Sequence, residues 1–143
     1  MNVIEKLKLG VTTTSAEETR QLAEQLALEL PPTVTLALHG DLGVGKTTFV
    51  QGLALGFGIK EAVTSPTFSI YTLHQGKRLL AHLDAYRLSR PEEIDALLLD
   101  EFLKPPYCLA IEWPEKLGSW IPSEALHFDF GIVNKTHTLK LRV

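Results

Sequence analysis

The sequence at residues 39–48 reads His39-Gly40-Asp41-Leu42-Gly43-Val44-Gly45-Lys46-Thr47-Thr48, and the prediction of the fold starts from this motif. It satisfies the pattern G-x-x-x-x-G-K-[ST], in which a glycine-rich loop joins a strand to a helix and wraps around phosphate groups. Residues 33–38, which precede it, are apolar and β-branched, and the residues from Lys46 onward have a helical pattern. The chain therefore has the strand, glycine loop and helix that the motif requires.

The chemistry of this loop is anion binding. Glycines let the backbone curl so that several N–H groups point inward, and the helix dipole adds partial positive charge. Lys46 is then placed to neutralise β- and γ-phosphates, and the Thr47 hydroxyl is a ligand for Mg²⁺. A glycine turn that only connects two elements is the alternative, but four fixed residues and their flanks favour a nucleoside triphosphate site. The residues that we expect to contact the nucleotide are Asp41, Leu42, Gly43, Val44, Gly45, Lys46, Thr47 and Thr48.

Length and composition narrow the class of protein. The 143 residues predict one domain over residues 1–143, and 45% hydrophobic with 22% charged residues is ordinary for a soluble protein. No run of about 18 apolar residues predicts a membrane span, and residues 1–6 lack the apolar core of a signal peptide, so we expect a cytoplasmic location. The single cysteine, Cys108, excludes an internal disulfide and a cysteine-based zinc site, and its apolar neighbours predict a buried, inert thiol. A net charge of −3 argues against a large basic face for nucleic acid.

The remaining chain alternates between helical and strand patterns. Ser15 and Glu18 form a predicted capping box that begins a helix over 16–30, and Pro31 ends it. The other predicted elements are a helix over 46–55, a hairpin of strands 68–74 and 78–84, a helix from Pro91, a strand over 107–112, a helical turn after Pro114 and a final hairpin of strands 126–130 and 138–142. This order predicts an α/β, three-layer fold like that of P-loop NTPases, with a mixed parallel and antiparallel sheet.

Two acids stand at the ends of apolar strand patterns. Asp84 closes one run and Glu112 closes another, and each taken alone is most simply an exposed acid at a strand terminus. In open α/β sheets the ligand lies outside the carboxyl ends of the strands, where both acids would be. We expect one of them to hold the metal with Thr47 and the other to orient the attacking water, and the sequence does not assign the two roles. His82 shares a strand face with Asp84, so we expect it to pack beside the metal acid rather than to bind zinc. Core packing is the default for Trp113.

Other classes of nucleotide-binding protein fit less well. A GTPase would carry Asn-Lys-x-Asp, whereas Asn134-Lys135 is followed by Thr136-His137, and Asp84 does not begin an Asp-x-x-Gly motif. Adenine is therefore favoured by elimination. A small-molecule kinase needs a lid and arginine clamps, and the sequence has five arginines and no long insertion. A kinase and a nucleotide-binding scaffold without turnover stay open as alternatives to an ATPase.

Four motifs together carry a family resemblance. They are the glycine loop, then Ser65-Pro66-Thr67-Phe68, then His82-Leu83-Asp84-Ala85-Tyr86-Arg87, then Ile111-Glu112-Trp113-Pro114-Glu115. By its own residues the 65–68 loop is equally well a simple turn. In order and spacing, however, the four motifs resemble the TsaE (YjeE) family of bacterial ATPases that take part in tRNA threonylcarbamoyladenosine biosynthesis. The resemblance runs from about residue 15 to residue 120, and the C-terminal hairpin matches only in general character.

The resemblance implies a function and residue roles. A member of this family binds ATP and Mg²⁺ and hydrolyses ATP slowly. It acts with the proteins TsaD and TsaB, which transfer a threonylcarbamoyl group to an adenosine beside the tRNA anticodon, so its link to tRNA is indirect. Carried over, Lys46 and Thr47 serve phosphate and metal, and Ser65, Pro66 and Thr67 form a switch loop near the γ-phosphate. By the same resemblance the catalytic residues are Lys46, Asp84 and Glu112, the metal residues are Thr47, Glu112 and Asp84, and Trp113 lies beside them.

Overall fold

The computed structural model describes residues 1–41, 43–64 and 70–143. Leu42 and the predicted switch-loop residues Ser65, Pro66 and Thr67 lie outside the described residues. The helices are α1 (Val3–Leu9), α2 (Ala16–Ala27) and α3 (Lys46–Gly56), and the strands are β1 (Val11–Thr13), β2 (Val34–His39), β3 (Tyr71–Gln75), β4 (Leu79–Asp84), β5 (Tyr107–Glu112), β6 (Leu126–Val133) and β7 (Thr136–Leu141). Within these ranges, short 3₁₀ segments lie between β4 and β5 at Pro91–Leu97 and Leu99–Glu101, and between β5 and β6 at Pro114–Lys116 and Gly118–Trp120.

The described strands form one sheet in the order β1-β7-β6-β2-β5-β4-β3. Strand β2 pairs in parallel with β5 and β6, and β5 pairs in parallel with β4. The pairs β3–β4, β6–β7 and β1–β7 are antiparallel. The predicted mixed α/β sheet is therefore confirmed. None of the helices in the described ranges is both long enough and apolar enough to cross a bilayer.

The described residues form two apolar cores, one on each face of the sheet. One contains Leu26 and Phe49 from the helices, packed against Leu36 of β2 and Phe128 of β6. The other contains Leu83 and Ile111 from the opposite sheet face, packed against Ile94 and Leu99 of the 3₁₀ segments. This is the predicted three-layer arrangement. Strand β5 is buried on both faces, as its unbroken apolar sequence indicates.

The helix α2 begins as predicted. The Ser15 side chain accepts a hydrogen bond from the Glu18 backbone N–H, and the Glu18 carboxylate in turn accepts from Thr14 rather than from Ser15. The helix ends at Ala27, three residues before the predicted end. Helix α3 packs closely on α2 at Gly52, which has no side chain. A Cβ at this position would lie only 2.4 Å from the Arg20 carbonyl oxygen.

Some elements differ from the prediction. The helix predicted from Pro91 does begin there, but it is 3₁₀ and stops at Leu98, whose φ of 53° is left-handed. Helix α1 and strand β1 were not predicted. The Asn2 side chain caps α1, and the Glu29 carboxylate accepts hydrogen bonds from the N–H groups of Val3 and Ile4 at 2.9 and 3.1 Å. The final hairpin strands are longer than predicted.

Candidate phosphate and metal site

The glycine loop joins β2 to α3 with a left-handed backbone. Gly45 precedes α3 with a φ of 98°, and Gly40 follows β2 with a φ of 149°. A Cβ on Gly40 would lie 2.9 Å from both the Phe130 carbonyl oxygen and the Val44 side chain, so only glycine fits there. The loop therefore brings the open N–H groups at the start of α3 to the carboxyl edge of the sheet.

Lys46 is the first residue of α3, and it is only 4% exposed. Its ammonium nitrogen donates to the Gly40 carbonyl oxygen at 2.5 Å and lies 4.2 Å from the centre of the Trp113 ring. Burial lowers the pKa of Lys46, and the carboxylates of Glu112 and Asp84 oppose this shift. The cation is thus held at the loop and stabilised by nearby negative charge.

The two predicted acids lie side by side. Asp84 at the end of β4 and Glu112 at the end of β5 are register partners in the parallel pair. The Thr47 hydroxyl donates to Oε2 of Glu112 at 3.3 Å. Oδ1 of Asp84 accepts from the Tyr86 backbone N–H at 3.0 Å, which orients its carboxylate. Strand register and helix start together bring a hydroxyl and two carboxylates to one place.

His82 lies beside the acid Glu112, as the sequence indicates. Its Nε2 is 2.5 Å from Oε2 of Glu112, and its side chain is fully buried. A carboxylate oxygen can only accept, so Nε2 carries the proton and donates. Nδ1 of His82 has no hydrogen-bond partner among the described residues. The buried histidine therefore holds the Glu112 carboxylate in place.

A pocket of about 300 Å³ opens between these groups. Its lining residues are Gly43, Gly45, Lys46, Thr47, Thr48, Asp84, Glu112 and His137. Five of the eight loop residues predicted to contact the nucleotide are among them. The Val44 side chain instead packs in the apolar core, and Asp41 is exposed and adds negative charge near Lys46.

The residues of this pocket fit a triphosphate with Mg²⁺. Mg²⁺ prefers oxygen ligands and in nucleotide sites binds one or two carboxylates together with phosphate oxygens and water. Thr47, Glu112 and Asp84 supply such oxygens, and Lys46 supplies the positive charge for the phosphates. No cluster of three or more histidine, cysteine and acidic side chains suited to a metal occurs in the parts of the chain that the structure describes.

The Trp113 ring contacts both the second apolar core and Lys46. Its φ of 58° is left-handed, which turns the chain sharply after β5. The ring packs against the second apolar core, as predicted, but it also lies against Lys46 and 5.0 Å from the Tyr86 ring. Its contact with Lys46 is not visible in the sequence pattern alone.

His137 of β7 lines the pocket and was not predicted. Its Nδ1 lies 3.1 Å from the Val44 carbonyl oxygen in the glycine loop. The sequence carries one signal for its orientation: His137 shares a strand face with the apolar residues Leu139 and Leu141. Nothing in the local pattern indicates that this face meets the loop.

Comparisons with known proteins agree with the resemblance. The family model described as "Threonylcarbamoyl adenosine biosynthesis protein TsaE" matches residues 13–139. The chain is 37% identical over 108 residues to a tRNA threonylcarbamoyladenosine biosynthesis protein TsaE of Treponema pallidum, covering 76% of this chain and 80% of that protein. It is 39% identical over 115 residues to the protein of that name in Bacillus subtilis, covering 80% and 72%. A crystal structure of Bacillus subtilis YdiB superposes with a TM-score of 0.75 at 33% identity, covering 91% of this chain and 81% of that one.

Proposed function

The chain belongs to the TsaE family of tRNA threonylcarbamoyladenosine biosynthesis proteins, and we propose that it is an ATPase. It binds ATP with Mg²⁺ in the pocket described above and hydrolyses ATP slowly to ADP and phosphate. It works in the cytoplasm with TsaD and TsaB, and it reaches tRNA only through them.

One observation carries the proposal most directly. The Thr47 hydroxyl at the start of α3 and the Glu112 carboxylate at the end of β5 are 3.3 Å apart. Both line the pocket into which the buried Lys46 also projects. The pocket therefore contains a cation that can bind phosphate and oxygen atoms that can bind Mg²⁺. Phosphoryl transfer to water requires both.

Each residue has a separate task in this proposal. Lys46 binds the β- and γ-phosphates, and the N–H groups of residues 43–48 bind their oxygens. Thr47 and Glu112 hold Mg²⁺, which neutralises charge that develops on the phosphates. Asp84 lies beside Glu112 and orients the attacking water, with its carboxylate fixed by the Tyr86 N–H. His82 keeps Glu112 in place.

The coupling to partners is assigned to residues 65–68. In this proposal Ser65, Pro66 and Thr67 contact the γ-phosphate when ATP is bound and lose that contact after hydrolysis. The change alters how the protein engages TsaD and TsaB. A protein that never modifies RNA by itself needs no strongly basic face, which agrees with its net charge of −3.

An assay that follows the γ-phosphate tests the proposal. The protein is incubated with Mg²⁺ and ATP labelled at the γ-phosphate, with and without TsaD and TsaB. Slow release of free phosphate, at a rate that changes when TsaD and TsaB are added, supports an ATPase subunit. Label on a small molecule would instead indicate a kinase, and bound but uncleaved ATP under both conditions would indicate a scaffold.

A further inference from the structure

Two histidines, His39 and His127, are in contact at the end of β2, and neither lines the pocket of the proposed phosphate site. Ala37 of β2 is the register partner of His127 in β6, and His39 stands two positions further on the same sheet face. The two rings are stacked with their centroids 5.1 Å apart, and Nε2 of His39 lies 2.8 Å from Nδ1 of His127. One of these nitrogens must donate and the other accept, so the rings share one hydrogen bond.

A nearby carboxylate sets the direction of this bond. Oε2 of Glu115 is 4.0 Å from Nδ1 of His39, and its negative charge favours the proton on that nitrogen. A neutral imidazole carries one proton, so Nε2 of His39 accepts and Nδ1 of His127 donates. Glu115 is about half exposed and too far away for a hydrogen bond, so it sets the direction of the bond and not its presence.

The pair accepts one added proton but not two. A proton on Nε2 of His127 leaves the shared bond intact and gives it a charged donor, which strengthens it. A further proton on Nε2 of His39 would set two N–H groups against each other across 2.8 Å, and the bond must break. Burial, Arg142 and His127 lower the pKa of His39. The carboxylates of Asp129 and Glu115, which also face the ring, oppose this shift without cancelling it.

The pair lies at the start of the glycine loop. His39 directly precedes Gly40, whose carbonyl oxygen accepts from the Lys46 ammonium at 2.5 Å. Gly40 is packed on β6 as well, since a Cβ there would lie 2.9 Å from the Phe130 carbonyl oxygen. The hydrogen bond between the two rings therefore ties the end of β2 to β6 immediately before the residue that holds Lys46.

We propose that His39 and His127 position the glycine loop for ATP, and that loss of their hydrogen bond in acid weakens ATP binding. This rests on the proposed function, since it takes ATP as the ligand. Neither ring touches the nucleotide in this proposal. Both act through the backbone at Gly40, so they are positioning residues. The loop binds ATP well while the pair carries at most one added proton, and less well once both rings are charged.

Calorimetry at two pH values tests the proposal. Mg-ATP is titrated at about pH 7.5 and at about pH 5.5, above and below the ordinary pKa of histidine, into the wild type and the double variant His39→Gln/His127→Asn. Glutamine places an amide near the position of Nε2 and asparagine places one near Nδ1, so this variant keeps a hydrogen bond that takes up no proton. The control is His74→Gln, which removes from the edge strand β3 a histidine that is bonded to Glu61.

The wild type and the double variant should bind ATP equally well at about pH 7.5. At about pH 5.5 the wild type should lose roughly three- to tenfold more affinity than the double variant, the effect of one hydrogen bond. His74→Gln should follow the wild type. The γ-phosphate also takes up a proton in this range, but it does so for every protein alike, and the comparison at one pH removes this effect. An equal loss in the wild type and the double variant would overturn the proposal.

The nitrogen chemical shifts of the imidazoles, measured by NMR, test the pair without ATP. In the wild type we expect Nδ1 to carry the proton in both neutral rings, and His39 to take up its second proton at a lower pH than His127. Independent titration of the two rings, or titration of His39 first, would overturn the proposal even if the double variant did not fold. If the wild type bound no ATP at either pH, the proposed function would fall and this proposal with it, whereas the other contrary results overturn this proposal alone.

Discussion

The Thr47 hydroxyl lies 3.3 Å from Oε2 of Glu112, although 65 positions separate the two residues. The parallel pairing of β2 with β5 sets this distance, because Leu38 near the end of β2 is the register partner of Glu112. The loop that follows β2 then leads into α3, whose Thr47 hydroxyl reaches Glu112 at the end of β5. The metal ligands of the proposed site are thus positioned by sheet register rather than by a flexible segment.

Glu112→Gln should abolish most metal-dependent turnover while the fold persists. The amide keeps the volume of the side chain and an oxygen that accepts from His82, but it removes the charge that holds Mg²⁺. We expect phosphate release to fall at least about 100-fold, the scale of losing one electrostatic contribution to the transition state. Glu115→Gln, three positions on and exposed, is the matched control. Full turnover in Glu112→Gln would show that this acid is not a metal ligand.

Asp84→Asn separates hydrolysis from binding. The asparagine oxygen still accepts from the Tyr86 N–H, so the turn after β4 is kept, but it no longer orients water as a base. Turnover should drop about 100-fold, and calorimetry should show ATP still binding. Asp95→Asn, an exposed acid in the Pro91–Leu97 segment, controls for loss of charge alone. An unaltered rate would leave Asp84 with a structural role.

Gly52→Ala should destabilise the packing of α2 on α3. A Cβ there would lie 2.4 Å from the Arg20 carbonyl oxygen and 2.6 Å from Cβ of Ala23, so the helices must separate. The expected loss in the free energy of unfolding is about 1–3 kcal/mol, measured by urea denaturation. Leu55→Ala on the exposed side of α3 should change stability much less. Equal stability of Gly52→Ala and the wild type would contradict the close helix contact.

The Asp129–Arg142 pair should make stability depend on pH at the acid end. Hydrogen bonds from Arg142 lower the pKa of Asp129 below its ordinary value of 3.8. The stabilisation is therefore complete above that value and is lost as pH falls through the lowered pKa of the folded state. Both side chains are about half exposed, so the contribution is only about 0.2–1 kcal/mol.

The substitution Asp129→Asn tests whether this pair loses its stabilising effect as the pH falls. Urea unfolding at neutral pH should show the wild type as the more stable protein, and the difference should shrink once the pH is below the lowered pKa of Asp129. A difference that is constant across this range would mean that the charge pair is not responsible.

The sequence predicts the centre of this fold better than its periphery. The glycine loop requires a strand before it and a helix after it, so the predicted β2 and α3 agree closely with the structure. An unbroken apolar run such as β5 must be buried, and the sequence therefore also predicts this strand closely. Ligands lie at the carboxyl ends of parallel strands, and this rule correctly predicted that Asp84 and Glu112 line the pocket. Both predictions depend on local pattern and general topology.

The remaining features depend on tertiary contacts. His137 and Val44 are 93 positions apart, and no local pattern reports that a hairpin strand packs on the glycine loop. The short helix α1 is fixed by the distant Glu29 carboxylate, and the helix from Pro91 is interrupted by a left-handed Leu98 that carries no glycine signal. Cys108 shows the opposite case: its apolar neighbours predict burial, and burial raises its pKa to about 12.

Calorimetric titration of Mg-ATP into the wild type and Lys46→Ala tests whether the glycine loop binds ATP through Lys46, with exposed Lys60→Ala as the control. Lys46 is the buried cation at the glycine loop, beside two carboxylates that would otherwise repel phosphate. We predict saturable one-site binding to the wild type and to Lys60→Ala, and binding at least about tenfold weaker to Lys46→Ala, since a charged hydrogen bond contributes about 1.5–3 kcal/mol. No saturable binding of ATP to the wild type, or equal binding to Lys46→Ala, would contradict an ATP site at the glycine loop that depends on Lys46.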